Sequence, residues 1–292
     1  ITKALMDIIT AENGVEVIMD TYESNESMIA SLKAGGMGTY DVAVPGDYMV
    51  SIMINEGMLD EIAEGELKNM GNIAESWADP AFDPGWKHSI PYQWGSTSFM
   101  VDTDSFAGEI TTTDILINPP EELSGKINML DSQGEVMLMA ALHLGMEQCS
   151  TDRDELKALN DMLQAAKANW ASFNSDTSRE VLVSGDVTVG QIWDGFGAKA
   201  REEKASLKYA FPKEGYVVWM DNVVLLNDAP NRDNAIKFMD FLLEPENIAA
   251  VSNFARYGNA LTGTADFLDP ELATLPEGNP PADAGPGTIV QV

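Results

Sequence analysis

The sequence predicts an α/β fold with largely parallel sheets. Runs of alternating apolar residues and runs with helical spacing succeed one another from end to end, which is the pattern of strand, crossover helix and strand. The 292 residues, 45% of them hydrophobic, suffice for one large core or two medium ones. There is no internal repeat and no free linker, so two lobes, if present, must be joined by strands or short crossovers.

Residues 1–13 read as an amphipathic helix with Leu5, Ile8 and Ile9 on one side and Gly14 as its stop. Residues 15–19 read as a strand, 26–33 as a helix capped by Ser24 or Asn25, and 40–44 as another strand. Pro45-Gly46-Asp47 turns the chain into a helix that starts near Tyr48. A loop region marked by Asp79-Pro80 and Asp83-Pro84 precedes two short strands, 89–92 and 97–101. Residues 126–130 and 187–193 read as strands, and 135–144, 153–168 and 231–243 as helices. From Ala265 onward Pro, Gly and Ala dominate with weak periodicity, which predicts irregular polypeptide on the surface.

The charge balance narrows the partners. Against 17 basic side chains stand 47 acidic ones, a formal charge of -30, which disfavours nucleic acid and anionic membranes and favours cationic ligands. At physiological salt the Debye length is only ~8 Å, so most of this charge reads as a solvated surface rather than a steering field. No apolar run approaches the roughly 20 residues of a membrane helix, and no basic n-region of an export signal opens the chain. Cys149 is the only cysteine, which excludes an internal disulfide and a thiolate metal site, and it reads as a small buried hydrophobe.

Catalytic patterns are missing. His88 and His143 are the only histidines, the first in a loop and the second in an apolar helix. Gly35-Gly36-Met37-Gly38 precedes a strand, whereas a nucleotide loop follows one, so it reads as a turn. Asp152, Asp154 and Glu155 lack the glycine and closing glutamate of a calcium loop and read as a helix start. The expectation is a protein that is not an enzyme and uses no cofactor or metal.

Residues 212–221 are the most informative stretch, Pro-Lys-Glu-Gly-Tyr-Val-Val-Trp-Met-Asp. On a strand, Trp219 and Asp221 point to one face, and an indole beside a carboxylate suits an organic cation. The competing reading is a core Trp next to a strand-end Asp. Tyr48, Trp193 and Tyr257 likewise fall at or beyond strand ends and apolar runs, where α/β proteins expose a ligand crevice.

With these residues the chain resembles the periplasmic spermidine/putrescine-binding proteins that deliver polyamines to ABC importers. Five blocks carry the resemblance in family order: Thr21-Tyr22-Glu23-Ser24-Asn25-Glu26, Tyr40-Asp41-Val42-Ala43-Val44-Pro45, Ser89-Ile90-Pro91-Tyr92-Gln93-Trp94-Gly95, Phe173-Asn174-Ser175-Asp176, and the stretch 212–221. The resemblance implies a two-lobed type II periplasmic-binding-protein fold with hinge-connecting strands, closing on its ligand. One lobe would comprise residues 1–97 and 221–265, the other 98–220 and 266–292. The family Asn-Trp-x-x-Tyr segment and its strand would precede Ile1, which implies that this sequence is part of a longer chain.

The resemblance also implies a site. Tyr48, Trp193, Trp219 and Tyr257 match the rings that sandwich the polyamine methylenes, and Glu135 and Asp221 match the carboxylates that hold its ammonium groups. Departures are Ser132, where spermidine-type members carry an acid; Gly46, where they carry a serine; and Phe196, where some putrescine-type members carry an aspartate. Asp47 or Asp194 are the candidates to substitute, the alternative being that each is a solvated turn acid. The implied role is an extracytoplasmic monomer that hands a polyamine to a membrane permease. Two alternatives stay open: another small cationic or zwitterionic solute on the same fold, and a polyamine-sensing subunit without a transport role.

Overall fold

A computed structural model describes residues 1–22 and 24–289. Glu23 of the first family block, and residues 290–292 of the expected second lobe, lie outside the described residues. The chain divides into two compact units. Unit 1 takes Ile1–Trp94 and Met220–Leu272; unit 2 takes Gly95–Trp219 and the described residues from Ala273 on. The chain thus changes unit at 94/95, 219/220 and 272/273, where the sequence led to 97/98, 220/221 and 265/266.

Unit 1 opens with α1 (Lys3–Asn13), capped by the Thr2 hydroxyl and ended by Gly14 at φ 67°. α2 (Asn25–Ser31) begins with a capping box between Ser24 and Ser27, then loosens into a π turn over Leu32–Gly36, where Gly35 takes φ 125°. The short β1 (Val42–Ala43) leads through Gly46 into α3 (Asp47–Asn55). The long β2 (Ser89–Asp102) starts in this unit and leaves it after Trp94.

Unit 2 continues with the short α4 (Asp114–Ile117), β3 (Ile127–Met129), α5 (Gln133–Leu144) and α6 (Arg153–Ala166). Then come β4 (Trp170–Phe173), α7 (Ser178–Ser184), β5 (Val189–Trp193), α8 (Asp194–Glu203) and β6 (Leu207–Ala210). β7 (Tyr216–Leu225) returns the chain to unit 1, which ends in α9 (Arg232–Leu242) and α10 (Pro245–Ala255). β8 (Gly287–Ile289) is the last described element and belongs to unit 2.

Pairing is mixed rather than largely parallel. In unit 2, β2 is flanked by β5 and β6, both antiparallel to it, with Phe99 opposite Gln191 on one side and Ala210 on the other. β3 runs parallel to β4 and β5, and β8 runs parallel to the first half of β7. In unit 1, β1 pairs antiparallel with the end of β7, Val42 opposite Leu225. Antiparallel pairs arise because β2 and β7 traverse the chain between units instead of being fed by a crossover helix.

Each unit buries its own cores. In unit 1, Leu5, Ile9 and Val15 pack with Ile90, Val223, Leu225 and the α9 residues Met239 and Leu242. A second cluster there is rich in methionine, with Met28, Met49, Met53 and Met58 around Val224 and Leu226; flexible thioethers fill such irregular gaps well. In unit 2, Phe99, Val101, Ile127, Met129 and Val189 pack beneath Val136 and Met139 of α5.

Several expectations need correction. Residues 15–19 form no strand: Ile18 is 88% exposed and Met19 54%, and a strand exists only where another supplies hydrogen bonds. Ile8 is exposed while Leu5 and Ile9 are buried, so the apolar stripe of α1 is narrower than its spacing implied. The two strands expected around Gly95 are one 14-residue strand. Cys149 is exposed in a turn at φ 57°, not buried. The tail is only partly irregular: Glu277 is 1% exposed and takes a two-pronged ion pair from Arg201 of α8, at 2.6 and 3.2 Å. That fork neutralises a carboxylate that burial alone would make costly.

Candidate functional site

In unit 2, the site is assembled where β2, β5, β7 and α5 bring side chains together. Thr97 of β2 lies directly opposite Trp193, the last residue of β5. The Trp193 indole N–H donates to Glu135 Oε1 at 3.3 Å, and Glu135 sits in the first turn of α5, where the partial positive charge of the helix start favours a carboxylate. The Gln191 side chain donates to the Glu135 carbonyl oxygen at 3.3 Å, tying that turn to β5. On β7, Trp219 donates its indole N–H to Thr97 Oγ1 at 3.0 Å.

The second oxygen of Glu135 is the telling atom. Oε2 is buried and has no hydrogen-bond partner, a costly arrangement unless a donor arrives from outside the chain. Burial raises the Glu135 pKa above the ordinary carboxylate value, while the Thr97 hydroxyl and the Trp193 indole pull it partly back. The result is a desolvated acid faced by the Trp193 indole edge, suited to an ammonium group.

Asp194 has a different task. Its Oδ2 accepts from Ser96 N at 2.9 Å and from the Ser96 hydroxyl at 3.2 Å, and Oδ1 accepts from Gly195 N at 2.9 Å. Ser96 is also within 3.1 Å of the Tyr209 hydroxyl. Asp194 is buried, so it is not a solvated turn acid. It clamps the start of α8 to β2, and burial pushes its pKa up to about 7 despite the backbone donors, with Glu277 adding a smaller repulsion.

Because the folded state raises this pKa above the unfolded value, folding favours the protonated form. The stabilising contribution is full below about pH 4 and is lost as pH rises through about 7. Thermal melts of wild type and Asp194→Asn are therefore expected to lie closest at about pH 4 and below, and to diverge in favour of the variant as pH rises from about 4 to about 7, with no further divergence above that. A melting difference that is constant with pH would remove this role.

In unit 1, Asp221 of β7 bridges across to Gly46, the residue before α3. Burial raises the pKa values of both the Tyr22 and Tyr92 hydroxyls, and the negative charge of Asp221 adds to the effect. Tyr22 is 42% exposed, and its hydroxyl donates to the Val44 carbonyl. Tyr48 is half-buried; its hydroxyl accepts from Asn25 Nδ2 at 3.1 Å and donates to Glu26 Oε1 at 2.8 Å. Gly46 N donates to Asn25 Oδ1 at 3.2 Å.

Asp47 is fully buried and accepts from Tyr48 N at 2.8 Å and Met220 N at 3.2 Å, so it too is structural and not a solvated turn acid. Ser132 stands at the N-cap of α5 without a capping bond and is half-buried. Tyr257 follows Arg256, which takes φ 69° at the end of α10; Gly258 then forms a β-bridge with Trp94. A Cβ on Gly258 would lie 2.5 Å from the Trp94 ring, so only glycine fits there.

Of the expected residues, the structure joins Glu135 directly to Trp193, and it places Asp221 against Gly46. The residues missed in the sequence are Thr97, Ser96, Tyr22, Tyr92 and Asn25. The tyrosines and Asn25 stood inside quoted family blocks; Thr97 and Ser96 carry no sequence signal, being ordinary strand residues. Among the described residues no group of three or more His, Cys, Asp or Glu side chains is placed to hold a metal ion, and no helix is long and apolar enough to cross a membrane.

Known proteins show the same organisation. Residues 4–280 match the family model of bacterial extracellular solute-binding proteins. The spermidine/putrescine-binding periplasmic protein of Escherichia coli K12 is 35% identical over 269 residues, 92% of this chain and 77% of that protein. A putrescine/cadaverine-binding protein of Pseudomonas aeruginosa is 30% identical over 90% of this chain and 77% of its own length. Among solved structures, a Listeria monocytogenes protein named for spermidine and putrescine transport superposes with a TM-score of 0.90 at 30% identity, covering 97% of this chain and 87% of that one. The spermidine/putrescine substrate-binding protein PotD of Streptococcus pneumoniae gives 0.81 at 26% identity, covering 100% and 90%. With its match to the family model running nearly end to end and with relatives of this identity, the chain belongs to the bacterial extracellular solute-binding proteins.

Proposed function

We propose that this chain captures a di- or polyamine outside the cytoplasmic membrane and presents it to the permease of an ABC importer. The observation that carries the reading is the buried, unpartnered Oε2 of Glu135 beside the Trp193 indole. An alkyl ammonium supplies the missing donor and the compensating charge in one group, and its methylenes suit the neighbouring ring faces. Unit 1 offers a comparable set in Asp221 with Tyr22 and Tyr92. In this reading Glu135 and Asp221 hold ammonium groups, and Tyr48, Trp193, Trp219 and Tyr257 supply ring walls. No step of it requires catalysis or a cofactor, and the protein acts as a monomer.

The names of the relatives support the ligand class, since both curated relatives cited above are named for putrescine. Their periplasmic setting supports action outside the membrane. Isothermal titration of the full-length protein with putrescine, cadaverine, spermidine and spermine tests the reading. At least one should bind, and a saturating amine at about 100 times its Kd should stabilise the fold by about 2.7 kcal/mol. Absence of heat and of thermal shift with all four would overturn it. Displacement of a bound amine by an amino acid or a betaine would shift the assignment to another small cationic or zwitterionic solute. Co-purification with a receptor in place of a permease would favour the sensing role.

A further inference from the structure

Gln191 of β5 is buried, and both ends of its amide are engaged. Its Oε1 accepts from Leu130 N and its Nε2 donates to the Glu135 carbonyl oxygen, each at 3.3 Å. Leu130 directly follows β3, and Glu135 lies in the first turn of α5. One side chain thus pins the entry and the exit of the passage that delivers the acid. The carbonyl oxygen has two lone pairs, so it can take the amide alongside its partner in the helix.

The start of α5 needs such a tie. A helix commonly fixes its own start with an N-cap side chain, but Ser132 stands at that position without a capping bond. Asp131 N donates to Ser175 Oγ at 2.9 Å, which holds the passage near its entry and leaves the helical turn to Gln191. Residues two apart on a strand share a face, so Gln191 and Trp193 project together from β5. Gln191 takes the main chain of Glu135, and the Trp193 indole takes Oε1 of its carboxylate at 3.3 Å. With both held from one strand, the direction of the unpartnered Oε2 is set. A neutral amide does this without adding a charge that would compete for a cation.

We propose that Gln191 is a positioning residue of the cation site: by holding Leu130 and Glu135 from β5 it sets the first turn of α5, so that Glu135 meets the Trp193 indole with one oxygen and presents the other to the ligand. This rests on the reading of Glu135 as the acid that holds an ammonium group. Gln191 acts through Glu135 and not by touching the solute, because its amide is occupied within the protein. Its contribution to affinity therefore exists only while the carboxylate is there to be placed.

The test is a double-mutant cycle in the full-length protein, with putrescine titrated calorimetrically into wild type, Gln191→Met, Glu135→Gln and the double variant at neutral pH. Methionine keeps an unbranched side chain of similar length and removes both bonds. Gln191→Met is expected to bind about tenfold more weakly than wild type. In the Glu135→Gln background the same change should cost no more than about twofold, because a carboxylate that is gone cannot be misplaced. A merely structural glutamine would cost the same factor in both backgrounds. Wild-type affinity in Gln191→Met, or an equal loss in both backgrounds, overturns the proposal. If methionine prevents folding, Gln191→Asn keeps the amide but is too short to reach both partners, and the same two outcomes decide. Full affinity in Glu135→Gln would instead overturn the reading of the site itself, so the two failures are told apart.

Discussion

Glu135→Gln is expected to weaken putrescine binding by about 30-fold or more, or roughly 2 kcal/mol, the scale of a desolvated charge-assisted contact. The reason lies in which atom is orphaned. Oε2 is enclosed without a donor, so an incoming ammonium is attracted both by charge and by an empty acceptor. Glutamine keeps the volume but can turn an N–H toward the cation, replacing attraction by repulsion. Asp221→Asn should show a loss of similar size, since the phenols of Tyr22 and Tyr92 cannot neutralise an ammonium. Titration calorimetry at neutral pH reads both. Affinity within about threefold of wild type in either variant would remove that residue from the site.

Gly95→Ala should be strongly destabilising. A Cβ at this position would stand 2.6 Å from Asp194 Oδ1 and 2.8 and 2.9 Å from two atoms of the Trp219 ring. Neither neighbour can yield cheaply. Asp194 is held by Ser96 and Gly195, and the Trp219 indole is held by Thr97. Overpacking of this kind costs about 3 kcal/mol, and ligand affinity should fall with it because the ring wall is displaced. Urea unfolding would show a lower midpoint at unchanged slope. An unaltered midpoint would mean that β2 shifts to make room, and the close packing would then be incidental.

Gly95 also explains why the sequence was misread at this point. A glycine inside an apolar run reads as a break, so two short strands were expected; the structure shows one, with glycine selected by close approach and not by a turn. Helices were more legible because their ends are chemically marked. Gly14 at left-handed φ and the Asp152 cap sit where helix-end chemistry puts them, whereas α10, which Pro245 opens, was not expected. Residues 15–19 show the opposite limit. Alternation states what a strand would bury, but only a partner makes a strand, and none pairs there among the described residues.

The chemistry of the candidate site was partly visible for the same reason. Charged and aromatic residues such as Glu135, Trp193, Trp219 and Asp221 stand out in a sequence because their burial demands an explanation. Thr97 does not, since threonine is an unremarkable strand residue until its register opposite Trp193 is known. Asp47 and Asp194 show the converse. Both have the charge of a ligand contact, yet backbone amides consume their oxygens, and only coordinates reveal that.

The two indole hydrogen bonds have a practical side. Trp193 donates to Glu135 and Trp219 to Thr97, whereas Trp86 and Trp94 are bound to backbone carbonyls of unit 1 and Trp170 to that of Leu116. Emission from an indole depends on what its N–H meets, so a solute that draws on the Glu135 carboxylate is expected to change the emission of Trp193 against the indoles bound elsewhere. The protein is therefore expected to carry its own optical gauge, with which occupancy of the purified protein could be followed in a stopped-flow cuvette without a dye, a label or a substitution.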